Sequence, residues 1–237
     1  MKKAFFFTIV MAIVTFAGTV QAQSLNEILS KHFKVIGQDK LKDAESIYMR
    51  AKVNQMGMDL PMEMKIKHPN KFFVTIEMQG QKMIQVFDGE TGWVLAPWVS
   101  SEPQELKGDA LAQAMQQTNL EGELYNYDKK GSTAEFLGKV NVEGKDVYRI
   151  KLTTSDGNSK NYFIDVDTYL ITKEVAKVDV NGQTVNVEQK MLDYKDFDGV
   201  KMATKIEQKT PMGIATITIE DVKFNVDFDD TIFTKPN

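Results

Sequence analysis

Apolar and polar residues alternate in short segments along most of this chain, and a repeat of two residues indicates a β-sheet. The first segment covers residues 46–53, and residues 62–68 and 72–78 repeat the pattern. Successive side chains of a strand point to opposite faces, so each segment is typical of a strand with one apolar face. Turn signals such as Asp88-Gly89 separate the segments. The pattern predicts an antiparallel sheet with one face on a core and the other in solvent.

The number of these segments predicts the fold class. They occur five times before residue 100 and seven times after residue 133, which predicts about 11–12 strands. No long helical pattern lies between consecutive strands, so a parallel α/β fold is excluded. A sheet of this size with few helices must curl to cover its own apolar face. We therefore expect a mainly β fold, a single antiparallel, incompletely closed β-barrel over residues 23–237, with an N-terminal helix and a helical lid.

Two segments of the chain are predicted to be helical. Apolar residues recur at helical spacing from Leu25 to Ile36, and Ser24 with Glu27 forms a capping box before them. His32 falls on the apolar face of this helix, where a packed histidine is expected. Residues 100–123 break the strand pattern and contain a short helix with a weak apolar stripe. This insert is either a lid over an apolar surface or an ordinary connecting helix.

The N-terminal residues have the pattern of a cleavable secretory signal peptide over residues 1–22. Two lysines precede an apolar run, and Val20-Gln21-Ala22 is a small-residue cleavage site. Cleavage would remove both lysines and change the formal net charge from −4 to −6. There is no cysteine for acylation or disulfides, and no basic run for nucleic acid. We expect a soluble periplasmic monomer without stable membrane insertion.

Several motifs resemble those of the LolA/LolB family of outer-membrane lipoprotein carriers. The strongest is Asp-Gly-x-Thr-x-Trp-x-x-x-Pro, which spans Asp88 to Pro97. Lys67-His68-Pro69-Asn70 is similar to a Lys-Arg-Pro-Asn segment of the family, and the motifs at 162–165 and 193–200 resemble its later hairpins. The resemblance implies an unclosed β-barrel with a helical lid. It also implies an acylated lipoprotein or lipid cargo, inner-membrane release machinery, an outer-membrane acceptor, and neither catalysis nor a cofactor.

The predicted ligand site combines this resemblance with the alternation of the strands. An apolar groove is expected to be lined by Met49, Ala51, Val53, Met62, Met64, Ile66, Phe72, Val74, Ile76, Met78, Trp93, Leu95 and Trp98. The lid is expected to contribute Leu111, Ala114 and Met115. His68 stands where the family has an arginine that holds the lid closed, so the resemblance implies a weaker, pH-dependent latch at this position.

Other functions remain open from the sequence. The chain has thirteen methionines, and methionine suits surfaces that accept varied apolar shapes. It also binds monovalent copper, for which Met56, Met58, Met62 and Met64 are candidates. A groove that binds a partner protein would make the chain a periplasmic sensor or scaffold. No hydrolase, metalloprotease or P-loop motif is present, so an enzyme is less favoured than a carrier or a scaffold, and a copper carrier is the least favoured of the four.

Overall fold

A computed structural model describes residues 24–180, 183–210 and 213–236, and the predicted signal peptide lies outside these ranges. Within these ranges, thirteen strands form one antiparallel sheet. The strands are β1 Ser46–Gln55, β2 Met58–Lys67, β3 Lys71–Met78, β4 Gln81–Phe87, β5 Gly92–Leu95, β6 Gln104–Glu105, β7 Thr133–Val142, β8 Lys145–Thr153, β9 Ser159–Asp165, β10 Ile171–Val180, β11 Gln183–Phe197, β12 Val200–Thr210 and β13 Gly213–Phe224.

The order of the strands in the sheet is β6-β5-β4-β3-β2-β1-β13-β12-β11-β10-β9-β8-β7. Neighbours in the sheet are neighbours in the chain except where β1 pairs with β13. The edge strands β6 and β7 do not pair with each other in the described ranges. The predicted fold class, mainly β, antiparallel and incompletely closed, is confirmed. The strand count is one higher than the upper prediction because β6, two residues long, lies in the segment predicted to be an insert.

Three α-helices accompany the sheet in the part of the chain that the structure describes: α1 Leu25–Ile36, α2 Gln38–Lys42 and α3 Gly108–Gln117. Ser24 caps α1 as predicted, because its hydroxyl accepts a hydrogen bond from the Glu27 N–H at 3.2 Å. The helix ends at Gly37, which has φ of 73°. A Cβ atom at that position would lie 2.0 Å from the Gly199 carbonyl oxygen, so only glycine allows α1 and α2 to approach the β11–β12 turn this closely. None of the helices in the described ranges has both the length and the apolar character needed to cross a bilayer.

The face of the sheet that packs against the helices, called the inner face here, carries two apolar clusters. One lies under α1 and is built around Ile28, Ile150 and Ile164. His32 is buried in α1 as predicted, and its Nδ1–H donates to the Tyr169 carbonyl at 2.8 Å. The other cluster lies under α3 and includes Phe72 and Ala114. The two helices therefore cover different halves of the same face.

The alternation predicts that the opposite face, called the outer face here, lies in solvent, but part of this face is covered. The C-terminal segment 226–236 crosses it at β3 and β4 and contains a short 3-10 helix, Asp230–Phe233. Phe228 and Phe233 are buried there and meet edge to face, with ring centroids 6.4 Å apart. Asp230 accepts hydrogen bonds from Lys67 and Lys71, each at 2.7 Å. The alternation of apolar and polar residues does not predict this covering segment.

Candidate functional site

The apolar cluster under α3, called the α3 cluster below, contains most of the predicted groove residues. They are Met49, Ala51, Val53, Met62, Met64, Ile66, Phe72, Val74 and Ile76. The strand register brings them together, since Met49 faces Met64 across β1 and β2, and Met64 faces Val74 across β2 and β3. Cross-strand neighbours on one face contact each other directly. Met78 has the same phase at the end of β3 but lies beyond the cluster.

Other strands complete the α3 cluster with residues that were not predicted. These are Phe87 and Val94 from β4 and β5, Phe197, Met202 and Ile206 from β11 and β12, and Ile217, Ile219, Val222 and Phe224 from β13, together with Ile47, Leu41, Leu106 and Leu120. Alternation in β13 is visible in the sequence. Its pairing with β1 is not, because the two strands lie at opposite ends of the chain.

The structure corrects the prediction for the end of the Asp-Gly-x-Thr-x-Trp motif. Phe87 pairs with Gly92, so Val94 shares the inner face, whereas Trp93 and Leu95 point to the outer face. The Trp93 ring lies 4.7 Å from the Lys235 ammonium group of the C-terminal segment. Trp98 follows β5 in a turn and is exposed. Neither tryptophan belongs to the α3 cluster.

Two of the three predicted lid residues lie on the side of α3 that faces the sheet, and their role as a lid stays a prediction. Ala114 is fully buried in the α3 cluster, and Leu111 packs against it one helical turn earlier. Met115 is exposed, because it lies about 100° further round the helix than Ala114. Leu106 and Leu120 flank α3 on the chain and also reach the cluster. The helix contacts the sheet through a narrow apolar stripe, as the weak pattern indicated.

His68 does not form the predicted latch. It is exposed at the end of β2, and its backbone N–H donates to the Glu45 carbonyl at 2.8 Å. Its imidazole forms no hydrogen bond with the described residues, so no hydrogen bond from this side chain holds α3.

The two motifs of the LolA/LolB resemblance meet in space. The Asp88 carboxylate accepts hydrogen bonds from the backbone N–H groups of Glu90 and Thr91, at 2.9 and 2.8 Å, and from the Thr91 hydroxyl. Partial burial acts to raise the pKa of Asp88, but these hydrogen bonds outweigh it, so the pKa lies below its ordinary value. Asn70 donates from its amide to the Gly89 carbonyl at 3.2 Å. The two motifs therefore hold the β2–β3 turn against the β4–β5 turn.

A recessed polar cluster on the inner face joins Glu123, in the segment that follows α3, to side chains of β9 and β10. The Lys160 ammonium group lies 2.6 Å from a Glu123 carboxylate oxygen and 3.7 Å from one of Glu174. The Tyr162 hydroxyl donates to Glu123. Burial raises the pKa of Glu174, whereas for Glu123 Lys160 outweighs burial and lowers the pKa. This cluster fixes residues 118–132 to β9 and β10.

The candidate copper ligands are too far apart to share an ion. Met58 and Met64 lie six residues apart on β2, which is roughly 20 Å at about 3.3 Å per residue. Met56 lies in the β1–β2 turn and is exposed, whereas Met62 is buried in the α3 cluster. In the described ranges no group of three or more His, Asp or Glu residues is placed to hold a metal ion. Met62 and Met64 serve the apolar face instead.

Comparisons with known proteins agree with this geometry. A family model described as "-like: Uncharacterized protein" matches residues 71–237. No curated protein sequence matches the chain. Among solved structures, a DUF1329 family protein from Desulfovibrio piger is 16% identical, with a TM-score of 0.58 over 87% of this chain and 97% of that one.

Two further structures carry LolA-related names. A LolA superfamily protein from Nitrosomonas europaea is 18% identical, with a TM-score of 0.57 over 90% of this chain and 99% of that one. A domain named for outer membrane lipoprotein sorting, from Vibrio parahaemolyticus, is 13% identical, with a TM-score of 0.55 over 86% and 97%. Likeness at this level of identity concerns the fold. The chain therefore belongs to the family whose model spans residues 71–237, and its fold is LolA-like.

Proposed function

We propose that this protein binds acyl chains of lipoproteins or lipids in the α3 cluster and carries them through the periplasm towards the outer membrane. The observation that carries the proposal is the extent of the cluster. Its side chains run without interruption from β5 across β1 to β11, and a helix of ten residues covers them. A continuous apolar surface under a small cover suits a long flexible chain better than a compact ligand.

The energetic balance favours displacement of the cover by cargo. The cover contributes Ala114 and partly buried Leu111, which stabilise its closed position by roughly 2–4 kcal/mol at about 0.8 kcal/mol per buried methylene. A sixteen-carbon chain gains roughly 12 kcal/mol when it is fully buried, on the same scale. The acyl chain can therefore offset the loss of the α3 contacts.

The cluster is covered in this structure, so uptake requires α3 to move. Three clefts of about 850, 410 and 390 Å³ open on the described part of the molecule. Of the α3 cluster, only Ile219 lines any of these three. In our proposal the polar cluster at Glu123 stays fixed to the sheet while the helix is displaced.

The sequence pattern supports the remaining parts of the proposal. The signal peptide pattern of residues 1–22 favours a periplasmic protein. The LolA/LolB resemblance favours a cargo that is released from the inner membrane to this carrier and is then delivered to an acceptor at the outer membrane. The proposed cycle consists of binding and release, without a covalent step or a cofactor.

The test uses two alanines of α3 that lie two residues apart. Ala114→Asp places a carboxylate on the buried side, whereas Ala112→Asp places it on the exposed side of the same helix. Binding of an environment-sensitive dye is measured for both variants and wild type, followed by displacement with a palmitoylated peptide. We expect the peptide to displace the dye from wild type, and Ala114→Asp to bind more dye than Ala112→Asp when empty.

Two results would contradict the proposal. One is a dye signal from wild type that saturating acylated peptide leaves unchanged. The other is equal dye binding by the two aspartate variants, which would mean that α3 does not cover the binding surface.

A further inference from the structure

A row of polar side chains crosses the inner face beside the α3 cluster. Glu174 of β10 faces Gln189 of β11, and Gln189 faces Gln208 of β12. Residues directly opposite each other in an antiparallel pair point to the same face of the sheet. Glu174 also faces Tyr162 of β9, which is buried in the cluster under α1, so these residues lie on the inner face. Glu174, Gln189 and Gln208 are called the polar row below.

The polar row borders the apolar surface that is proposed to hold the acyl chain. Ile206 of the α3 cluster lies two residues before Gln208 on β12. Met191 lies opposite Ile206, two residues after Gln189 on β11. Two residues of a strand span roughly 7 Å, and residues at this spacing point to the same face. An amphiphile whose chain occupies the α3 cluster can therefore place its polar head on the row.

The side chains of the row are available to a ligand. Gln189 and Gln208 are partly buried, and neither side-chain amide forms a hydrogen bond with another described residue. Each carboxamide offers two donor hydrogens and one acceptor oxygen. The neighbouring Glu174 side chain exposes 18% of its surface, and its ion-pair partner Lys160 lies at 3.7 Å. The row therefore presents both donors and acceptors of hydrogen bonds.

The charges around the row disfavour an anionic head. The row itself carries no cation, and the Lys160 ammonium group beside it lies 2.6 Å from a Glu123 carboxylate oxygen. One lysine therefore balances two carboxylates, those of Glu123 and Glu174, when both are ionised. Burial raises the pKa of Glu174 although Lys160 acts in the opposite direction, which favours the neutral carboxyl. An uncharged head is consequently more favourable at this position than a phosphate.

We infer that the polar row binds the uncharged, hydroxyl-bearing head of an amphiphile whose acyl chain lies in the α3 cluster. A hydroxyl group donates and accepts through one oxygen, so it can pair with the carboxamides and with Glu174 alike. The inference rests on the proposed function, because the position of the head depends on where the chain lies. It adds a preference among cargoes, for a neutral head with hydroxyl groups over a phosphate.

The test compares decyl maltoside with decyl phosphate, which share an alkyl chain and differ in the head. Each is titrated into the full chain below the concentration at which it forms micelles, and its affinity is measured by calorimetry. We expect wild type to bind the maltoside at least about tenfold more tightly than the phosphate. Gln189→Leu should remove most of this preference by weakening the maltoside alone. Gln189→Lys should favour the phosphate, because it places a cation in the row.

Asn186→Leu is the matched control. It also replaces a carboxamide of β11 by leucine, but Asn186 is exposed and lies three residues from Gln189, so it points to the outer face. This variant should bind both amphiphiles as wild type does.

The wild-type comparison alone decides the matter if a variant does not fold. Equal affinity for the two amphiphiles, or tighter binding of decyl phosphate, would overturn the inference and leave the carrier function standing. An equal loss of maltoside affinity in Gln189→Leu and Asn186→Leu would also overturn it. So would failure of both amphiphiles to bind a chain that still binds palmitoylated peptide. Failure of all three ligands to bind would contradict the carrier function, and the inference with it.

Discussion

Val86 and Phe87 are consecutive residues of β4 that point to opposite faces of the sheet, and each exposes only 1% of its surface. Phe87 belongs to the α3 cluster on the inner face. Val86 lies on the outer face, which the C-terminal segment crosses at β3 and β4. The sheet is therefore covered on both sides at this point, and two independent contacts stabilise β4.

The cover on the outer face is predicted to stabilise the fold without affecting cargo. Phe233 exposes 1% of its surface, and Phe233→Ala should lower the free energy of unfolding by roughly 3–5 kcal/mol because it leaves a cavity. Lys235→Ala, which removes only the contact with the Trp93 ring, should cost about 1 kcal/mol or less. Urea unfolding measures both. Weaker binding of acylated peptide by folded Phe233→Ala would show that the two faces are coupled.

Adjacent residues of β5 are predicted to have different effects on cargo binding. Val94→Asp places a charge in the α3 cluster and should weaken binding of acylated peptide at least about tenfold. Trp93→Asp changes the outer face and should leave that affinity within about twofold, although it destabilises the C-terminal segment. Peptide titration of the folded variants measures the affinities. Similar losses for the two variants would mean that the acyl chain does not occupy the inner face.

Acid is predicted to weaken the attachment of the C-terminal segment. Hydrogen bonds from Lys67 and then Lys71 lower the pKa of Asp230 from 3.8 to about 2. The stabilisation is therefore fully present above pH 3.8 and is lost as the pH falls through about 2. We expect the stability difference between wild type and Asp230→Asn to disappear over this interval and to shrink in high salt, since the pair is exposed. Asp227→Asn is the matched control, and the same pH profile for both variants would contradict the assignment.

His32 is predicted to make the protein less stable below neutral pH. Burial lowers the pKa of His32 from 6.5, although the hydrogen bond to the Tyr169 carbonyl acts in the opposite direction. Stability is therefore full above pH 6.5 and falls as the pH drops from there towards the lowered pKa, because the unfolded chain binds the proton first.

The measurement compares urea unfolding at pH 8 and pH 5. His32→Gln should reduce the loss of stability between these values, because glutamine keeps a donor but does not titrate. His68→Gln changes the exposed histidine and should leave the loss unchanged. An identical pH dependence of wild type and His32→Gln would show that this histidine does not set it.

Alternation predicted the inner face well wherever a strand is long. Met49, Met64 and Val74 are examples, because the phase of a strand follows directly from its apolar positions. The phase of β5 was predicted wrongly because it depends on the turn before it. Hydrogen bonds to Asp88 make Gly92 the partner of Phe87, and that choice moves Trp93 to the outer face.

Other features depend on contacts between distant parts of the chain. Asp230 forms ion pairs with two lysines that lie on β2 and β3, far from it in sequence. The hydrogen bond from Gln38 to the Glu121 carbonyl likewise joins positions that are remote in sequence. No local sequence pattern predicts such contacts, because the partners are polar residue types that usually lie at the surface.

The order of the strands also ties the fold to the proposed cover. Across the sheet the strands run in chain order from β7 to β13 and then, through the β13–β1 pair, from β1 to β6. Of the consecutive strands in the described ranges, β6 and β7 are the two that do not pair. The segment between β6 and β7 carries α3 and is joined to both edge strands. The separation of the two edges therefore limits how far α3 can move away from the sheet. In our proposal, cargo that displaces α3 would also act on both edge strands, because the same segment connects them.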